Sequence, residues 1–213
     1  MRELIERYWT EMSAITTIMP VAAVTRAADT LLECHSHGRT VFVLGNGGSA
    51  ATASHFACDL TKGTRTGGQP AFRVVALTDN VPLITAWGND EGYERVFADQ
   101  LSALVRPGDA VVAISASGNS PNILLPARVA RQARASTIAL TGETGGRLAP
   151  LADVVVRVPG GSIEQVEDAH LIVAHSLCVA LRAELRRANV TDVLLPNVQP
   201  NRITSFPLNA EAT

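Results

Sequence analysis

Two short segments concentrate residues that can hold an anion: Gly45-Asn46-Gly47-Gly48-Ser49 and Ser115-Ala116-Ser117-Gly118-Asn119-Ser120. Each follows an apolar run that reads as a strand and precedes a run that reads as a helix. Glycines let the backbone turn tightly and approach a ligand closely, and the free N–H groups at a helix start favour negative charge. Three hydroxyls within six residues add neutral donors, so a phosphate could be surrounded without a lysine. The Walker pattern GxxxxGK[ST] is absent. A strand-to-helix turn with a serine cap would leave a similar mark. A dinucleotide site is the sharper rival, since Gly45 to Ala50 fits the relaxed GxGxxA form. Its acidic partner belongs about 20 residues on, at the tip of the next strand, whereas Asp79 lies 29 residues beyond Ala50.

A second group is titratable. His55 and Asp59 are four apart on a predicted helix and share a face. Near the carboxyl end of the chain, Glu164, Glu167, Leu171 and His175 fall within roughly 80° of arc on another helix, and His170 points elsewhere, toward packing or an interface. Two helices thus each carry a carboxylate and an imidazole on one face. The set could be acid/base machinery, a zinc site of His55, Asp59, Glu167 and His175, or a solvated face with partly buried histidines.

The elements that must position these groups follow from periodicity. Residues 2–18 and 20–37 read as a helical hairpin that must pack on the domain or on a second subunit. Strands are expected at 41–44, 72–77, 109–114, 136–140 and 153–158. Helices are expected at 49–62, 80–88, 92–105, from Ser120 to about 134, at 145–151, and from about 163 to 187. Strands alternating with helices predict an α/β three-layer sandwich around a five-stranded parallel sheet in the flavodoxin-like order. Ligands bind such sheets beyond the carboxyl ends of the strands, where both Gly/Ser segments fall. Residues 1–187 read as one domain, 1–38 the hairpin and 39–187 the sheet core and final helix. Residues 188–213 read as an extended tail.

The bulk composition narrows the function classes. The chain has 213 residues, enough for one core, with 46% hydrophobic, 18% charged and a formal net charge of -2. No basic patch suggests nucleic acid, and no apolar run suggests a membrane span. Three cysteines without CxxC spacing read as reduced thiols in a cytoplasmic protein.

Gly-Asn-Gly-Gly-Ser, His55-Phe56-Ala57, Gly88-Asn89-Asp90 with Gly92-Tyr93-Glu94, Ser117-Gly118-Asn119-Ser120, Leu140-Thr141-Gly142 and Glu167-Asp168-Ala169-His170 occur in this order. Together, over residues 1–187, they resemble the sugar isomerase (SIS) domain family, specifically its phosphoheptose isomerase group. The resemblance implies conversion of sedoheptulose 7-phosphate to D-glycero-D-manno-heptose 7-phosphate, a homotetramer built through the helical hairpin with active sites between subunits, and one zinc ion per subunit. It also implies phosphate contacts from Ser115, Ala116, Ser117 and Ser120, further substrate contacts from Asn46, Gly47, Gly48, Ser49, Asp90, Glu164 and Glu167, and a metal and catalytic site at His55, Asp59, Glu167 and His175. The chain departs from the group's pattern at four positions. Asp59 stands for Glu, Glu167 for Gln, Glu164 for Asp, and Gly63 for a basic residue.

The reaction expected of such a site is aldose–ketose isomerisation through an enediol, with Asp59 as base, His175 as acid and Glu167 as the alternative base. Some relatives are instead non-catalytic tetramers that bind a replication initiator protein, and others sense phosphosugars. Retention of both histidines and of a carboxylate at 59 favours an enzyme.

Overall fold

The computed structural model describes residues 1–194. Two helices, α1 (Arg2–Thr17) and α2 (Val21–Ser36), precede the strand β1 (Thr40–Gly45). Then come α3 (Gly48–Cys58), β2 (Arg73–Ala76), α4 (Val81–Asp90), α5 (Ala98–Leu104), β3 (Ala110–Ser115), α6 (Pro121–Gln132), β4 (Ser136–Thr141), β5 (Val154–Arg157) and α7 (Ile163–Leu194). The five strands form one sheet in the order β2-β1-β3-β4-β5, with every neighbouring pair parallel. This is the α/β architecture and strand order expected from the alternation of elements.

The sheet is covered on both faces because its strands are apolar on both. Successive side chains alternate across a strand. Val41 and Val43 therefore join Val112, Ile114, Ile138 and Leu140 in a core beneath α2, α3 and α7. Phe42 and Leu44 join Val111 and Ala113 in a second core beneath α5 and α6. The first core includes Leu31, Phe56, Leu177 and Leu181, all of them buried.

The hairpin packs on the domain through a third, smaller cluster. Met12 and Ile15 of α1 meet Val158, Val166 and Ala169. Polar contacts fix the angle of α1 against α7: the Tyr8 hydroxyl donates to Asp168 at 2.5 Å, and Gln165 Nε2 donates to Glu11 at 2.8 Å. The Asp168 carboxylate raises the Tyr8 phenol to about 12, so that bond stays protonated over the neutral range. Along the same broad face of α1, Leu4, Ile5 and Trp9 remain exposed, Trp9 at 69%.

Five boundaries differ from the sequence reading, among them the helix expected at 92–105, which is a 3₁₀ turn at Tyr93–Arg95 followed by α5 from Ala98. The helix expected over 49–62 is α-helical only to Cys58 and widens into a π turn over Asp59–Gly63. The loop expected at 88–92 is partly helical, since α4 runs through Gly88 and Asn89 to Asp90. The helix expected at 145–151 is reduced to a 3₁₀ turn at Ala149–Leu151, because Gly145 and Gly146 both adopt positive φ. The final helix continues past 187 to Leu194. Residues 188–194 carry no Gly or Pro, and the first breaker is Pro196, so the helix runs on although its amphipathicity fades after Arg187. The remainder of the expected tail lies outside the described residues. No single helix among the described residues is long and apolar enough to cross a membrane.

Candidate active site

The two Gly/Ser segments leave adjacent strands, β1 and β3, which pair in register from Val41↔Ala110 to Gly45↔Ile114. Adjacent parallel strands of equal length deliver both loops to one edge of the sheet. The loops are also tied by side chains: Asn46 Nδ2 donates to Asn122 Oδ1 at 2.9 Å, and Asn122 Nδ2 donates to Asn46 Oδ1 at 2.7 Å. The Tyr93 hydroxyl donates to the same Asn46 oxygen at 3.3 Å. Asn46, expected to face substrate, uses its oxygen and one of its two amide protons in this junction, which leaves one N–H to donate. Tyr93 stands in the Gly92-Tyr93-Glu94 motif without an assigned role, and Asn122 carries no local signal, because only proximity across 76 residues gives it a partner.

The serine loop is built to leave its protons free. Ser115 Oγ accepts the Gly118 N–H and Ser117 Oγ accepts the Asn119 N–H, each at 3.2 Å. Both hydroxyls thus use a lone pair internally and can still donate outward. Ser120 precedes α6 without a side-chain capping bond. The loop after β4 braces this arrangement. Gly142 N donates to the Ala116 carbonyl at 2.9 Å, and the Arg147 guanidinium donates to the Asn119 carbonyl at 2.9 Å. A side chain at Gly118 would strike the Gly145 backbone. Arg147 is a second residue that sequence spacing did not reveal.

Facing the first loop, α3 and α7 bring three side chains together. Asp59 Oδ2 lies 3.6 Å from His55 Nε2 and 3.5 Å from His175 Nε2, and the two imidazole nitrogens are 3.5 Å apart. The imidazole rings meet edge-on at 74°. The helical spacing of four places Asp59 one turn beyond His55. At that point the π turn begins, and its far end is held from α7, where Arg182 donates to the Gly63 carbonyl at 3.2 Å. Such turns re-aim side chains inside helices and recur at functional sites. Here the turn sets the direction of the short Asp59 side chain.

This triangle fits a metal ion. Three ligand atoms about 3.5 Å apart are corners of a tetrahedron whose centre lies about 2.1 Å from each, the distance at which zinc binds nitrogen and oxygen. Both histidine side chains are 48% exposed and Asp59 29%, so one side of the triangle stays open. Cys178 stands outside this cluster. Burial, reinforced by the Asp59 charge, pushes the nearby Cys178 thiol up to about 12.

Other expected residues stand apart from the triangle. Glu167 lies against Gly48, where any Cβ would collide with its carboxylate, so Gly48 admits the acid over the first loop. It is not part of the three-residue cluster. Glu164 sits in the first turn of α7, where the Ser162 hydroxyl, 2.7 Å away, and then its own N–H hold its carboxyl below the usual range. Asp90 ends α4, exposed, and accepts the Asn89 side-chain amide at 2.7 Å. Ser49 is buried in the first turn of α3, with Gly47 and Gly48 exposed beside it. Asp79, the acid weighed for a dinucleotide, lies just beyond β2 and accepts the Ser54 hydroxyl. His170 is wholly buried, away from the triangle, as its position on the helix implied.

Residues 8–142 match the family model described as SIS domain. The chain is 42% identical to a phosphoheptose isomerase from Trichlorobacter lovleyi over 157 residues, 74% of this chain and 80% of the relative. It is 40% identical to the phosphoheptose isomerase of Mycobacterium tuberculosis over 155 residues, 73% of this chain and 79% of that one. A solved phosphoheptose isomerase from Neisseria gonorrhoeae superposes with a TM-score of 0.79 at 33% identity, covering 85% of this chain and 98% of that structure.

Proposed function

This chain belongs to the SIS domain family, and from that premise we propose that it is a phosphoheptose isomerase converting sedoheptulose 7-phosphate to D-glycero-D-manno-heptose 7-phosphate. The observation that carries the reading is the His55–Asp59–His175 triangle, with edges of 3.5–3.6 Å, about two helical turns along α3 from the first of two loops suited to a phosphorylated ligand. A module that only binds phosphosugar or a partner protein needs the loops but has no use for this triangle.

The chemistry divides among named groups. Ser115, Ser117 and Ser120 donate hydroxyl protons to the phosphate, and Ala116 contributes backbone at the same loop. Asn46, Gly47, Gly48, Ser49, Asp90 and Glu164 are the further substrate contacts. Isomerisation moves one carbon-bound proton between neighbouring carbons while the two oxygens exchange protonation. Asp59 takes the carbon-bound proton and returns it to the adjacent carbon. His175 shuttles the proton between the two oxygens. A zinc ion held by His55, Asp59 and His175 would supply Lewis acidity toward the sugar oxygens. Glu167, the carboxylate above the first loop, is the alternative base.

We further place the protein in the cytoplasm as a homotetramer. The three unpaired cysteines support the compartment. The exposed Leu4, Ile5 and Trp9 of α1 support assembly through the hairpin. The deciding experiment incubates the purified chain with sedoheptulose 7-phosphate, with added zinc or with chelator, and assays the aldose. Aldose formation is the expected result. Binding without turnover under either condition would leave only the sensing reading.

A further inference from the structure

A cleft of about 460 Å³ opens at the opposite, amino-terminal edge of the sheet. Five residue steps along β1 separate it from the Gly/Ser loops, about 16 Å at the rise of a strand. Its rim carries Arg39, Arg73 and Arg106, one arginine at or just before the start of each of three adjacent strands. Sheet register brings them together: Thr40 pairs with Arg73, and Val41 pairs with Ala110 just after the Arg106 loop.

The convergence is built around a buried acid that does not neutralise it. Asp109, 3% exposed, accepts the Thr40 N–H at 2.9 Å through Oδ1 and the Arg106 N–H at 2.7 Å through Oδ2. Its carboxylate thus ties the Arg39 and Arg106 loops to each other. Among the described residues, none of the three guanidiniums has an ion-pair partner. Arg39 also lies along Gly108, where an added Cβ would come within 3.3 Å of its Nε. The three guanidiniums outnumber the single Asp109 carboxylate, so the rim keeps an excess of positive charge that an anion would offset.

The floor is apolar. Arg73 and Val75 project to the face of β2 that continues Phe42, and Leu104 at the end of α5 closes the side. Val75 is 37% and Leu104 51% exposed, so a flat apolar group has surface to cover. A bare phosphate would use the rim and leave that floor in water. We infer that this cleft binds a nucleoside phosphate, its phosphates on the arginine rim and its base over Val75 and Leu104. Guanidinium forks suit phosphate oxygens, and the volume falls in the range of small-ligand pockets.

The test is calorimetric titration of the full chain with ATP, pyrophosphate and adenosine at low salt. ATP is expected to bind at least about tenfold more tightly than pyrophosphate or adenosine, because only ATP uses both rim and floor. Arg39→Ala, Arg73→Ala and Arg106→Ala should each weaken ATP roughly tenfold, with circular dichroism unchanged. Ser117→Ala/Ser120→Ala should leave ATP affinity within about twofold, because that variant alters only the distant phosphate loop. No ATP binding at millimolar concentration overturns the inference. So does ATP binding that survives the arginine variants and disappears in the serine variant. Pyrophosphate binding as tightly as ATP overturns the nucleoside assignment.

Discussion

Asn46 and Asn122 exchange two side-chain hydrogen bonds, so the first loop and the start of α6 hold each other at fixed distance. Each amide satisfies one donor and one acceptor of the other, and Asn122 is 3% exposed. The phosphate loop lies between them in sequence order and ends at this junction.

Asn122→Ala therefore strands part of a half-buried amide. A loss of about 1–3 kcal/mol in stability is expected, measured by urea unfolding. The substrate KM should rise more than kcat falls, because the variant loosens the loops without touching Asp59 or His175. An unchanged KM would show that the loops keep their spacing without the pair.

Asp59→Asn and His175→Ala should each lower kcat by about 10²–10⁴-fold, with the fold intact by circular dichroism. His55→Ala should weaken zinc binding by more than about tenfold, since even outer partners of a metal site are worth that much. Competitive titration with a chromophoric chelator reads this independently of turnover. Zinc affinity unchanged in His55→Ala would remove the triangle as the metal site.

Arg182 holds the π turn that aims Asp59, and it is half-buried on α7. Arg182→Ala should reduce kcat by roughly tenfold with little change in KM, and Arg182→Lys should recover part of the loss. Equal loss of stability and activity in both variants would mean that the residue only supports the fold.

His170 gives the protein a pH dependence in the mildly acidic range. Burial, opposed in part by the Thr141 backbone, depresses its pKa from 6.5 to about 4. The unfolded chain therefore binds more protons between these values. Stability from this group is complete above pH 6.5 and is lost as pH falls toward 4, by about 3 kcal/mol at most. Urea unfolding at pH 7.5 and 5 measures the slope, and His170→Met should flatten it.

Much of this molecule is legible in one dimension. Alternating apolar runs and amphipathic helices specify a parallel sheet with helices on both faces, because burial period follows backbone geometry. The Gly/Ser segments announce an anion site through residue types that have few other uses after a strand. Helical spacing also pairs His55 with Asp59 and separates His170 from His175. Three features needed the folded chain. The Asn46–Asn122 clasp and the Arg147 brace join segments far apart in sequence, so no local pattern encodes them. The π turn at Asp59 costs one helical register, and Arg182, 119 residues beyond the Gly63 carbonyl it holds, helps to fix it. Finally, Glu167 and His175 share a helical face by sequence, but only packing against Gly48 and α3 sends one to the loop and the other to the triangle. Local sequence fixes which face a side chain occupies, while the distance between two faces is set by how helices pack.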